Sequence, residues 1–419
     1  MSGPNGDAYR GRKRVALYSP GMVGLGHMRR NLLIAQALTS GPEPPIVLVL
    51  AEAREASAFP LPPGVDCLTL PAIRKYTNGY CAPRHLDVPL RELIRLRAEV
   101  IRSVLQTFQP DLLVVDHLPR GAVRELDPAL AWIRAKGGTR CVLGLRDVLG
   151  EPATVRRRWL RSASYAAIRE HYDAIWVYGD PEVYNPISEY ALPRDIAVKV
   201  RFTGYLDHRA RLTFADATGV DPLSELGVSS GRLSVCLVGG GQDGGPLAEA
   251  FVQAKLPPDT HGVVVTGPFM PLEKRRRVQQ LAARDRRFRV LEFVREPLLL
   301  LRQADRVVAM GGYNTIWEMM AFGRPALVVP RIDPGGEQLI RATCLRDLGA
   351  VDLLLPEQAS PPTLSEWLAR DTPPLCDLRS RVDFNGLERL PRLFDELLGE
   401  ASDDLWSPDY EHRVASGAV

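Results

Sequence analysis

Short runs of consecutive apolar residues recur along the chain, each followed by a longer stretch in which apolar residues return every third or fourth position. The first pattern suits strands buried on both faces and the second suits helices that cover them, so their alternation predicts βαβ units and parallel sheets. In the first half the runs fall near 14–19 (RVALYS), 46–51 (IVLVLA), 66–70, 111–116 (DLLVVD), 140–145 (RCVLGL) and 173–178 (DAIWVY). Helices are expected between them, most clearly at 28–39 and 88–108. The second carries Leu90, Leu93, Ile94, Val100, Ile101, Val104 and Leu105 as an apolar stripe, with its arginines assigned to the opposite face.

From 206 to 230 the rhythm weakens into a polar segment with several Gly and Pro, which reads as a linker. It restarts with LSVCLVGGG and continues at 262–266, 288–293, 306–310 and 325–329. The expectation is an α/β protein of two Rossmann-like domains facing across a cleft, 1–205 and 231–383. A helix and tail at 384–419 would pack back across the junction. Ligands of such sheets sit at the carboxyl ends of the strands, so the informative residues should follow strands directly.

Composition narrows the function. At 419 residues the chain exceeds one ordinary core, and its 45% hydrophobic and 25% charged content is that of a globular protein. A net charge of +3 argues against a nucleic-acid binder. The basic clusters Arg156 to Arg158 and Lys274 to Arg277 read as solvated helix faces, with contact to an acidic lipid surface as the other reading. Six scattered cysteines without a CxxC pair argue against a disulfide framework or a zinc site. With no signal-like apolar stretch at the start and no run of about 18 apolar residues, a cytoplasmic protein is expected, possible membrane contact being peripheral at the inner face.

The candidate chemistry lies at the ends of strands and in the loops that follow them. After the first strand, Gly21, Gly24 and Gly26 permit a tight turn, and His27 and Arg30 follow. A dinucleotide fingerprint would place a third glycine near Arg29 or Arg30; Glu52, just after the second strand, could imitate that fingerprint's ribose-binding acid. His27 is a candidate general base. Asp116 ends a strand that neighbours the first in the usual doubly wound order, which brings it within reach of the imidazole as an orienting carboxylate; His117 is the substitute base. In the second half a strand ends in Gly311-Gly312 and a helix opens at once through Asn314 and Thr315, an anion site suited to a diphosphate. Glu318 lies one turn in, able to accept from two ribose hydroxyls. Glu337 and Gln338 open another helix, and Gly239, Gly240 and Gly241 approach the same diphosphate from the other side.

Together these stretches resemble the GT-B glycosyltransferases, specifically the family 28 branch that contains the bacterial GlcNAc-transferase of lipid II formation. The segment GGYNTIWEMMAFGRPALVVPR…EQLIRA carries the likeness, and GLGHMRR and LRDVL are shared with bacterial predicted glycosyltransferases. The resemblance implies an inverting hexosyltransferase with a UDP- or dTDP-sugar donor and no metal or other cofactor. It assigns ribose to Glu318, the diphosphate to Gly311, Gly312 and Thr315 with Asn314 beside them, the base to the backbone at Phe293-Val294, and the donor sugar to Glu337 and Gln338. The lipid II enzyme has an amide where Glu337 stands. The acceptor, a small molecule or lipid-linked, is unnamed by the sequence; Gly24, Gly26, Arg30, Tyr76 and Tyr80 are its candidate contacts. A nucleotide-sugar hydrolase, a UDP-sugar 2-epimerase and a non-catalytic nucleotide-sugar binder stand as alternatives.

Overall fold

The computed structural model describes residues 11–20, 26–52, 61–76, 80–215, 231–332, 335–371 and 378–399. Gly24, the segment 216–230 and the tail beyond 399 therefore lie outside the described residues.

The apolar runs become two parallel sheets. The N-terminal sheet contains β1 (Arg14–Ser19), β2 (Ile46–Ala51), β3 (Val65–Thr69), β6 (Leu112–Asp116), β7 (Arg140–Arg146), β8 (Ala174–Tyr178) and β9 (Val200–Phe202), in the order β3-β2-β1-β6-β7-β8-β9. A small antiparallel hairpin, β4 (Ile73–Lys75) with β5 (Cys81–Pro83), stands apart from it. The C-terminal sheet contains β10 (Arg232–Leu237), β11 (Thr260–Val265), β12 (Phe288–Leu291), β13 (Arg306–Ala309), β14 (Ala326–Val328) and β15 (Asp352–Leu353), in the order β12-β11-β10-β13-β14-β15. In each sheet the first strand is flanked by its second and by one from later in the chain, so the order reverses beside it. That reversal opens a crevice at the carboxyl ends, and β1 pairs β6 with Tyr18 opposite Val115, which sets Asp116 beside the end of β1. The short β9, β15 and β4–β5 hairpin carry too few apolar residues to stand out as runs.

Helix α1 (Gly26–Thr39) follows β1 directly, and α2 (Leu90–Phe108) covers the sheet. The expectation for α2 needs one correction: Arg97 is on its buried face, not with the solvent-facing arginines. Its guanidinium donates to Glu125 at 2.7 Å, to Glu52 at 3.4 Å and to the Pro71 carbonyl at 2.6 Å. Two buried carboxylates and a carbonyl, all from other segments, make burial of that charge tolerable.

The linker reading also changes in part. His208–Arg211 forms a 3-10 turn and both its terminal residues are buried, Arg211 in ion pairs with Glu296 and Glu318. The helix Gly386–Leu398 returns to the N-terminal lobe and lies against α1, with Leu390, Leu393 and Phe394 buried. Cys141 and Cys236 are buried in β7 and β10 as small apolar residues, and no helix among the described residues is long and apolar enough to cross a membrane.

Candidate active site

The N-terminal side of the crevice is built on ionised side chains. Asp116 is wholly buried, and its Oδ2 lies 2.7 Å from His27 Nδ1. Arg30, one helical turn along α1, donates to both Asp116 oxygens at 2.6 and 2.7 Å. Burial alone would raise the Asp116 pKa, but Arg30 and then His27 hold it down at about 2. An ionised carboxylate only accepts, so Nδ1 carries the imidazole proton and Nε2 keeps its lone pair. Arg30 is also 3.0 Å from Nδ1, and as a pure donor it makes no competing claim on that proton. Burial lowers the His27 pKa and Asp116 offsets this in part, with the net shift downward; the ring keeps 19% of its exposure and lines the cleft. A neutral imidazole with a fixed tautomer at a cleft wall is equipped to take a proton from a ligand hydroxyl.

His117 is a poorer base. It is held at φ +68° with Nε2 3.4 Å from an Arg146 nitrogen, and burial and that cation push its pKa well below the usual value.

The C-terminal side is built mainly on backbone. Gly239 and Gly241 have φ of +62° and +88°, and a Cβ on Gly241 would fall 1.9 Å from the Thr266 carbonyl, so only glycine fits that turn. Gly312 precedes the helix Tyr313–Met320, whose first N–H groups and Thr315 open onto the same cleft. Such a helix start favours an anion through unpaired N–H groups and the helix dipole. Glu318, buried one turn in, is paired with Arg211 at 2.7 Å. Glu337 pairs with Arg146 of the opposite lobe at 3.1 Å; burial pushes its pKa up, but Arg146, Arg341 and Arg331 bring the net shift downward.

The lobes are tied together next to the site. Asp147, directly after β7, receives Arg341 Nη2 at 2.7 Å, and Arg341 Nη1 donates to the Gly311 carbonyl at 2.9 Å, all buried. Tyr313 donates to the Tyr178 carbonyl at 2.7 Å, Glu151 N to the Gly335 carbonyl at 2.9 Å, and Tyr205 stacks on Trp317 with centroids 3.5 Å apart.

Residues 234–393 match the glycosyltransferase family 28 C-terminal domain. An uncharacterized glycosyltransferase of Methanosarcina acetivorans is 29% identical over 167 residues, 39% of this chain; the match spans only 40% of that relative's length. Among solved structures, the calicheamicin glycosyltransferase CalG4 superimposes with a TM-score of 0.57 at 15% identity, over 93% of this chain and all of its own. A putative UDP-N-acetylglucosamine 2-epimerase from Listeria monocytogenes gives a TM-score of 0.61 at 15% identity, over 94% of this chain and all of its own. The two lobes together have the GT-B fold.

Within the C-terminal lobe, the cleft is lined by Gly239, Gly240, Gly241, Phe293, Val294, Gly312, Asn314, Thr315, Glu318, Glu337 and Gln338, with Gly26 and His27 opposite. Gly311 lies behind them, its N–H given to the Gln338 side-chain oxygen at 3.1 Å. Four expectations change. Gln338 also accepts from Arg331 N at 2.9 Å, so its oxygen braces two loops and is not offered to a sugar. Arg30 is no acceptor-loop side chain but the buried partner of Asp116, because a wholly buried carboxylate needs a cation beside it. Gly26 faces the C-terminal lobe: a Cβ there would meet the Asn314 amide at 2.3 Å. Glu52 accepts from Ile73 N at 2.5 Å and pairs with Arg97, which removes it as a dinucleotide acid. Tyr76 and Tyr80 are exposed, by 43% and 60%, at the turn of the hairpin and are not among the residues that line the cleft, their rings 5.9 Å apart. The sequence motifs LRDVL and EQLIRA contain Arg146, Asp147 and Arg341 but gave them no role, and Arg211 stood in no motif.

Proposed function

We propose that this protein is an inverting, metal-independent glycosyltransferase that moves a hexose from a UDP- or dTDP-sugar to an acceptor hydroxyl. The observation that carries the reading is the His27–Asp116 pair at 2.7 Å on one wall of a cleft whose other wall is a glycine-flanked helix start. His27 Nε2 takes the hydroxyl proton as the acceptor oxygen attacks the anomeric carbon from the face opposite the leaving group. The bond from that carbon to the diphosphate oxygen breaks, and its electron pair leaves with the nucleoside diphosphate. Backbone N–H groups near Gly312 and Gly240 meet the charge that develops there; one preorganised donor of this kind is worth roughly 3 kcal/mol. Asp116 stabilises the imidazolium formed in the step. Ribose hydroxyls donate to Glu318, whose described neighbours Arg211, Arg29 and the imidazole of His208 all approach the same oxygen, Oε1. The base stacks near Phe293 against the Val294 backbone. Glu337, held by Arg146, is the donor-sugar contact contributed jointly by both lobes.

Calorimetry of the full chain against UDP-, dTDP- and GDP-sugars tests this, with wild type and Glu318→Ala. Binding of a uridine or thymidine diphosphate sugar by the wild type, weakened in the variant, is expected. No binding of any nucleotide sugar by the wild type overturns the reading. Turnover of the donor without an acceptor, to a free sugar or its 2-epimer, would favour the hydrolase or epimerase chemistry of the same fold.

A further inference from the structure

Arg29 and Arg30 are neighbours with different fates. Consecutive residues on a helix point about 100° apart. Arg30 turns inward to Asp116, while Arg29 crosses the cleft from α1 into the C-terminal lobe. There its Nη1 lies 3.4 Å from Glu318 Oε1, and its Nη2 lies 3.4 Å from the Val294 carbonyl and 3.5 Å from the Arg295 carbonyl. These contacts are long for charge-assisted hydrogen bonds, which run nearer 2.8 Å. They are also not needed to neutralise Glu318, which Arg211 already meets at 2.7 Å. The guanidinium thus bridges Glu318 and the Val294–Arg295 backbone, lining the donor cleft two residues from His27.

We infer that Arg29 is the N-terminal lobe's own contact to the donor nucleoside, so that the nucleotide is gripped by both lobes. The inference rests on the donor-site reading above, which puts ribose at Glu318 and the base at Val294. A guanidinium only donates, so it recognises oxygen: a ribose hydroxyl or a pyrimidine carbonyl where the two meet. Its flat fork spans that junction in a way a lysine ammonium does not reproduce.

The test is titration of UDP and of uridine into wild type, Arg29→Ala, Arg29→Lys and Glu318→Ala, with steady-state rates and thermal unfolding of each. Loss of a charge-assisted hydrogen bond predicts that Arg29→Ala weakens UDP and uridine alike by about tenfold. Donor KM should rise with kcat at saturating donor nearly unchanged, and Arg29→Lys should recover only part of the affinity. Unaltered or tighter UDP binding in Arg29→Ala, with Glu318→Ala defective, overturns the role of Arg29 alone. A loss confined to UDP overturns the nucleoside contact in favour of the diphosphate. A wild type that binds no nucleotide overturns the donor site and this inference together.

Discussion

The two lobes share a strand order around their first strands, yet they furnish the same crevice in opposite ways. The N-terminal lobe places a wholly buried carboxylate, Asp116, at its switch point and compensates it with Arg30 and His27. The C-terminal lobe places glycines and a helix start there, and its side-chain charges stand one turn back, at Glu318 with Arg211. Side-chain charge suits proton transfer, because the position and pKa of one group can be set by its neighbours. Backbone suits an anion, because glycines let several N–H groups approach where a Cβ would stand in the way. The difference between the lobes follows from what each puts after its strands, not from the fold, which both share.

The sharpest break in that comparison is His27→Ala. If the N-terminal lobe supplies the base and the other lobe the donor site, kcat falls by about 10²- to 10⁴-fold while UDP affinity stays within error. Initial rates at saturating donor, beside a titration, check it. Equal losses in both would mean that His27 serves donor binding and that the lobes do not divide the work.

Next in size is Asp116→Asn, which leaves the fully buried Arg30 without its counter-charge. Breaking a buried pair costs about 3–5 kcal/mol, so the variant should lose stability as well as turnover, as urea unfolding would show. Stability equal to wild type would make Asp116 an orienting group alone. Thr315→Ala, on the other wall, is expected to leave stability unchanged and weaken UDP binding by roughly tenfold, the effect of one hydrogen bond to a charged group.

These contrasts were unevenly legible in the sequence. Long apolar strands announced themselves, and the doubly wound order then put Asp116 beside β1, within reach of His27. The glycine turns at 239–241 and 311–312 were legible for the same reason: they follow strands. What escaped was charge that depends on how distant segments meet. Arg97 sits on a helix whose periodicity assigned it to solvent, and only Glu52 and Glu125, from two other segments, explain its burial. Asp147 and Arg341 are 194 residues apart and meet only because the lobes face each other. Arg30 looked like a ligand-facing cation because no local pattern says which of two adjacent arginines turns inward.

The smallest effect expected is also the most specific: the acid limb of the pH–rate profile. Burial lowers the His27 pKa, Asp116 raises it in part, and Arg30 and Arg146 lower it further, leaving it below 6.5. A general base works deprotonated, so kcat/KM should fall on the acid side, with its limb at lower pH than an ordinary histidine would give. The stability linkage has the same sign. The unfolded chain binds a proton at His27 more readily, so the stability held in this neutral imidazole is complete above 6.5 and is lost as pH falls through the lower folded value. Asp116, held at about 2, keeps its contribution above the ordinary carboxylate range and loses it only as pH falls through that value. Activity should therefore titrate away before Asp116 does, with circular dichroism still native over the limb. Arg146→Ala removes one of the lowering charges and should move the limb to higher pH, whereas a limb already above 6.5 in the wild type would mean that Asp116 outweighs burial and holds His27 charged.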